Sequence, residues 1–188
     1  HNKQIINKHR GRIGIKWKLS VYLASFTLII IALLWLFQVV LLDTIYKAVK
    51  TGEIKAAAIE LSRALDNPET LGQTAIAVAE RNEVCVMIFR VDNADTAFRL
   101  INIQRFRDSL IQSISRSDIF KFYDNALAHD GKYLQRFRYD KSIGVFYSVS
   151  DGNLTPSSDP ESIVYSVITR SNAGDNILIL LNSVVSPV

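Results

Sequence analysis

The chain has 188 residues, 48% of them hydrophobic, and 22 Lys and Arg against 18 Asp and Glu give a net charge of +4. That length allows one ordinary domain with accessories. Six cations (Lys3, Lys8, Arg10, Arg12, Lys16 and Lys18) precede the first acid, Asp43, so residues 43–188 hold 16 cations against 18 acids, net −2. A mildly acidic outer portion lacks the basic footprint that nucleic-acid binding needs.

In chain order, a basic tail (1–18) leads into "LSVYLASFTLIIIALLWLFQVVLL", Leu19 to Leu42, twenty-four residues without a charge, Gly or Pro. As a helix this run extends ~36 Å, enough to cross a ~30 Å hydrocarbon core with some tilt. It is too long for the apolar region of a cleaved signal peptide, and bulky residues follow where a peptidase needs small ones. The expectation is an uncleaved signal anchor. The positive-inside rule then keeps the N-terminus in the cytoplasm and sends residues 43–188 outside a bacterial cell membrane. Trp17, Tyr22 and Tyr46 lie near the ends of the run, where amphipathic aromatics settle.

Beyond the span, Ile54, Ala57, Ala58, Leu61 and Leu65 form one helical stripe, so the helix is expected to continue outward, with Thr51-Gly52 as its weak point. Asn67 and Pro68 predict the cap and first turn of a second helix ending near Asn82. "VCVMIFRVD" (84–92), apolar on both faces, predicts a central strand. "VDNAD" reads as a turn; Asp92 and Asp95 there lack the full ligand spacing of a calcium loop. A shorter strand is expected at "AFRLINI". The stretch from Asp108 has helical periodicity, clearest at Ile119, Tyr123, Ala126 and Leu127, and ends at Gly131.

The rest is strand-like. "KYLQRFRYD" sets Leu134, Arg136 and Arg138 against Tyr133, Gln135, Phe137 and Tyr139, and "SIGVFYSVS" follows. "DGNLTPSSDPE" is a loop whose Asn153-Leu154-Thr155 sequon reads as a turn. "SIVYSVITR", the turn "SNAGD" and "NILILLNS" predict an antiparallel hairpin with its second strand buried on both faces. The fold class is therefore α+β: a transmembrane helix, then a long helix and an antiparallel sheet, with helices mostly on one face.

Chemistry is sparse. Cys85, the one cysteine, sits in an apolar run and reads as a small buried hydrophobe. His1 and His9 lie in the tail and His129 stands alone, so no metal cluster is expected. There is no Gly-rich phosphate loop and no Ser–His–acid arrangement, and catalytic residues are not assigned. A binding role is the expectation, with the helix carrying displacement across the membrane.

The basic tail, the span, "VMIF", "ESIVYSVIT" and "LILLNSVVSPV" together resemble the N-terminal sensor regions of bacterial two-component sensor histidine kinases, particularly those of Gram-positive gut anaerobes. The resemblance is strongest at Glu161–Tyr165 and Leu181–Val188. It implies a PAS-like extracytoplasmic domain of the Cache type over residues 43–183. Residues 184–188 would begin a linker to a second transmembrane helix that is not in this chain. ATP and Mg2+ are implied only for a kinase core beyond it, which would phosphorylate a histidine and pass the phosphoryl group to a response regulator. Other outputs, a chemoreceptor or a cyclic-dinucleotide enzyme, stay open, as does a membrane-anchored binding or structural domain. A homodimer is expected, with Gln38 bonding across its interface. The signal would be a small molecule or a protein. Arg136 and Arg138, on one face of a strand, are candidates to hold a carboxylate or phosphate, helped by Arg90, with Tyr147 and Tyr165 for stacking and hydroxyl contacts.

Overall fold

A computed structural model describes residues 14–92, 97–106, 110, 114–140, 142–149 and 161–185. Residues 93–95 of the expected turn "VDNAD", the start of the helical stretch at Asp108, the sequon and the 186–188 exit lie outside the described residues. The chain divides into a first unit ending at Thr44 and a second running from Ile45 onward.

The first unit holds α1 (Ile15–Leu36), with mean hydropathy 2.4 and no buried residue. Its 22 residues rise ~33 Å, so α1 is long and apolar enough to cross a membrane. A π-helical turn, Phe37–Leu41, follows and leads directly into α2 (Leu42–Ala64).

In the second unit α2 runs through Thr51-Gly52 without interruption, so the expected weak point is not a break. The Thr51 hydroxyl donates to the Lys47 carbonyl at 2.7 Å, a back-bond that lets the residue sit inside a helix. Helix α3 (Pro68–Asn82) starts as its sequence predicts. The Asn67 side chain accepts from the Glu69 and Thr70 amides at 3.1 and 3.4 Å, and Pro68 occupies the first turn. Helix α4 (Arg116–Ala128) opens with a capping box between Ser115 and Asp118.

Six strands, β1 (Cys85–Val91), β2 (Phe98–Gln104), β3 (Lys132–Asp140), β4 (Val145–Val149), β5 (Glu161–Arg170) and β6 (Asn176–Val184), form one sheet in the order β2-β1-β6-β5-β3-β4. Every neighbouring pair is antiparallel. The predicted hairpin is β5–β6, closed by a turn in which the Ser171 amide donates to the Asp175 carbonyl at 3.0 Å. Gly174 there takes φ +88°, a backbone that suits glycine.

Alternation along the strands splits the core between two faces. Ile54, Ala57, Leu61, Ala75 and Val78 of α2 and α3 cover Val86, Ile88, Ile163, Tyr165, Ile179 and Leu181. On the other face, Ile119, Phe122 and Tyr123 of α4 cover Phe89, Val91, Val164, Leu178 and Leu180. β6 is thus buried on both faces, which accounts for its unbroken apolar run. The helices are split two and one between the faces.

Candidate functional site

The face under α4 is incompletely filled. Between α4 and the β3–β4 hairpin lies a cavity of about 790 Å3. Its apolar walls are Phe122, Phe137 and Phe146, with Leu110 and Ile114 at the segment entering α4. Its polar groups are Asp118, Lys121, Asp124, Asn125, Gln135 and Ser148. The helical residues fall on one side of α4 by their spacing, and Gln135 and Phe137 alternate inward from β3. Cavities of roughly 300–1,000 Å3 with apolar walls and a few convergent polar groups are what small-molecule sites look like.

The polar groups are not equally committed. Asp118 is held by its cap: the Ser115 hydroxyl donates to Oδ2 at 2.6 Å and keeps the carboxyl below the ordinary carboxylate range. Lys121 stands 3.5 Å from the same carboxylate. Gln135 donates from Nε2 to the Ser148 hydroxyl at 3.0 Å, tying β3 to β4 across the cavity wall. Asp124 makes no ion pair among the described residues. The site therefore offers one uncommitted carboxylate beside aromatic walls, the complement of a small cation with an apolar body.

One wall of the cavity is fastened to the middle of the sheet. Asn182 of β6 is buried, and its Oδ1 accepts from the Leu110 amide at 2.8 Å. Its Nδ2 donates to the Ser162 hydroxyl at 2.6 Å and to the Ile163 carbonyl at 2.9 Å. Such a buried amide needs all these partners, since an unmet one costs about 1–3 kcal/mol. Leu110, which lines the cavity, is thereby pinned to β6 near its Val184 end.

The residues singled out in the sequence lie on the opposite face, which α2 and α3 cover. Arg138 is buried there, and its guanidinium meets Glu161 of β5 at 2.8 Å. Lys47 of α2 reaches the other Glu161 oxygen at 2.9 Å. Burial pushes the Glu161 carboxyl up, but the hydrogen bonds from Arg138 and Lys47 outweigh it and leave the group below the usual range. The Glu161 carboxylate in turn holds Arg138 above the ordinary guanidinium value. Tyr147 pairs with Arg138 across β3–β4 and helps keep it charged. Arg138 thus already holds a carboxylate, the chain's own.

Arg136 shares that face of β3, half-buried, opposite Val149 and Ile163. Tyr165 is buried in the core beneath the helices, where loss of water pushes its hydroxyl pKa up. Arg90 is elsewhere. It pairs with Ile177 near the start of β6 and makes an exposed ion pair with Asp175 at 3.3 Å. Seven residues of strand, ~23 Å, separate that level from the Val184 end of β6, beside which Arg138 and Glu161 sit. The structure therefore brings Arg136, Arg138 and Tyr147 together and leaves Arg90 apart. The cavity residues went unmarked in the sequence because Gln135 and Phe137 occupy the other phase of the same alternation.

No known protein family, curated protein or solved structure matches the chain. Among the described residues, no group of three or more His, Cys, Asp or Glu is placed to hold a metal ion.

Proposed function

We propose that this chain is the sensing portion of a transmembrane signalling protein. In this reading α1 is the anchor, residues from 43 onward lie outside the cell, and a small molecule bearing a cationic amine occupies the cavity beneath α4. The PAS-like fold of the Cache type is part of the same reading. Its support is the single antiparallel sheet with a long N-terminal helix on one face. A two-component histidine kinase is the proposed output, resting on the resemblance of the sequence. ATP and Mg2+ would serve that core and not the residues described above. The acid-free basic tail before α1 supports a cytoplasmic N-terminus.

The observation that carries the reading is the fastening of the cavity wall to β6 through Asn182 and Leu110. A ligand that draws Leu110 inward pulls on Asn182 near the end of β6. Ligand state is then converted into displacement at the end of β6, provided the ligand binds one arrangement more tightly than the other.

A thermal-shift screen of the full chain in lipid nanodiscs tests it, using primary amines, amino acids and matched carboxylates. At 100-fold excess over its Kd a ligand contributes about 2.7 kcal/mol, a rise of about 5–10 °C for a domain this size. The rise is expected from amine-bearing compounds and is lost in Asp124→Asn. No shift from any amine, or an equal shift in Asp124→Asn and Phe137→Ala, would sink the proposal.

A further inference from the structure

The sheet ends on one side in a strand with an open flank. β2 is outermost, and among the described residues no strand pairs with its outward side. A seven-residue edge leaves a row of backbone donors and acceptors facing water, and such rows accept further strands. The other edge strand, β4, has only five residues, and shortness itself blunts an edge. β2 contains neither proline nor lysine, and its Leu100 and Ile101 are 47% and 41% exposed. Ile101 is the extra residue of a bulge, since Asn102 pairs with Ile88 and Leu100 with Phe89. It therefore has no residue opposite it on β1.

Charge selects the strand that would be added. Between Asp95 and Asp108 the sequence holds Arg99, Arg105 and Arg107 and no acid. Arg99 and Arg105 are exposed and make no ion pair among the described residues. Six residues apart, they stand ~20 Å from one another along an extended chain. Arg99 also lies directly opposite Arg90 of β1, a like-charge pairing that is unfavourable on its own. Arg90 meets Asp175, which leaves the Arg99 charge unmatched. A second β2 would bring only cations to this edge. Antiparallel about Asn102, it would set Arg99 against Arg105; parallel and in register, each arginine would lie beside its own copy.

We propose that the outer edge of β2 takes up an extended segment of a partner protein as an added strand, apolar at its centre and carrying a carboxylate toward each end. Backbone hydrogen bonds to the edge supply the main attachment. Leu100 and Ile101 give the apolar contact, and Arg99 and Arg105 each hold one carboxylate through charge-assisted hydrogen bonds. The same two arginines repel further copies of this chain, so the edge stays open to an acidic strand and closed to its own kind. The inference does not depend on the cavity, whose hairpin wall contains β4 at the far end of the sheet from β2.

Fluorescence anisotropy of labelled peptides on the full chain in neutral-lipid nanodiscs tests it. The probes are capped seven-residue peptides with Glu at both ends and, between them, Thr alternating with Val, Ile, Leu, Phe or Tyr. The tightest of them is expected to bind at least about tenfold better than its counterpart with Lys at both ends. Arg99→Glu/Arg105→Glu, a change confined to exposed side chains, should reverse that preference. Alternate amides of an added strand face the edge and the others face water. N-methylating one alternate set should therefore abolish binding, and methylating the other set should spare it. Binding that survives both patterns would mean charge attraction alone and overturn the proposal. Equal binding of Glu- and Lys-ended peptides, or none by any peptide at about 1 mM, would overturn it too. So would covalent homodimer from Leu100→Cys, with the parent chain as control for Cys85, since a second copy would then hold the edge.

Discussion

Glu161 is the most informative single site for testing the energetics of this fold. Its carboxylate joins three elements: β5, which carries it, β3 through Arg138 and α2 through Lys47. The side chains keep only 17%, 11% and 26% of their exposure, respectively. Glu161→Gln removes the anion and leaves two cations facing one another. Breaking a fully buried pair costs about 3–5 kcal/mol, and an exposed pair contributes about 0–1 kcal/mol. Residual exposure, mainly at Lys47, places the substitution between them, at about 2–3 kcal/mol. With a urea m-value near 2 kcal/mol/M, the midpoint should fall by about 1–1.5 M with m unchanged. The measurement is urea unfolding of residues 43–188 followed by circular dichroism. pH supplies a second axis. Because the folded-state pKa of Glu161 is depressed below its ordinary 4.5, its contribution is fully present above that value and lost as pH falls through the folded value. The gap between parent and Glu161→Gln should therefore close on acidification below about pH 4.5 and stay open at pH 7. A midpoint change under 0.2 M at pH 7, or a gap that does not change with pH, would refute the reasoning.

Three further outcomes are expected. Residues 43–188, made without α1, should be soluble and melt cooperatively; aggregation at all conditions would count against a self-sufficient second unit. Asn182→Ala forfeits at least the three hydrogen bonds described above and should cost about 2–4 kcal/mol, with amide exchange at Leu110 accelerating well beyond the global change. Unaltered Leu110 protection would disprove the fastening. Ser115→Ala removes the N-cap of α4, for about 1 kcal/mol, and should raise the Asp118 pKa toward its ordinary 3.8 in an NMR titration. The stability that ionised Asp118 draws from Ser115 is present above pH 3.8 and disappears as pH falls through the depressed folded value, so an unmoved pKa would rule out the capping box as its cause.

Much of this architecture was legible in the residues. Asn67-Pro68 marked the start of α3 because an Asx cap and a proline at the first turn each satisfy a specific backbone need. The apolar runs 84–92 and 177–181 marked strands buried on both faces, and both are covered by helices on either side of the sheet. Thr51-Gly52 misled, since propensity is local, while the packing of Ile54, Ala57 and Leu61 on the sheet sustains the helix through the weak pair. The site was harder to read. Alternation in β3 showed two faces, one with Arg136 and Arg138 and one with Gln135 and Phe137, without saying which face α4 would leave unfilled. That depends on how far α4 stands from the β3–β4 hairpin, a tertiary spacing that no local pattern encodes. Nor does the pairing of Arg138 with Glu161, 23 residues apart, have any local signature; it exists because β3 and β5 are hydrogen-bonded neighbours.

The position of β6 also governs how the sheet is made. β6 lies between β1 and β5, yet it follows all the other strands in chain order. Until it is in place, β2–β1 and β5–β3–β4 are two separate ribbons, each with a long unpaired edge. Joining them requires Cys85 to meet Asn182, a closure across about two-thirds of the second unit. Topologies dominated by such distant pairings fold slowly, and open edges are templates for mispairing. A chain emerging from one end thus holds two incomplete halves until residues 176–184 arrive. Substitutions that weaken β6 should then lower the yield of folded protein more than its final stability, leaving the folded survivors nearly normal.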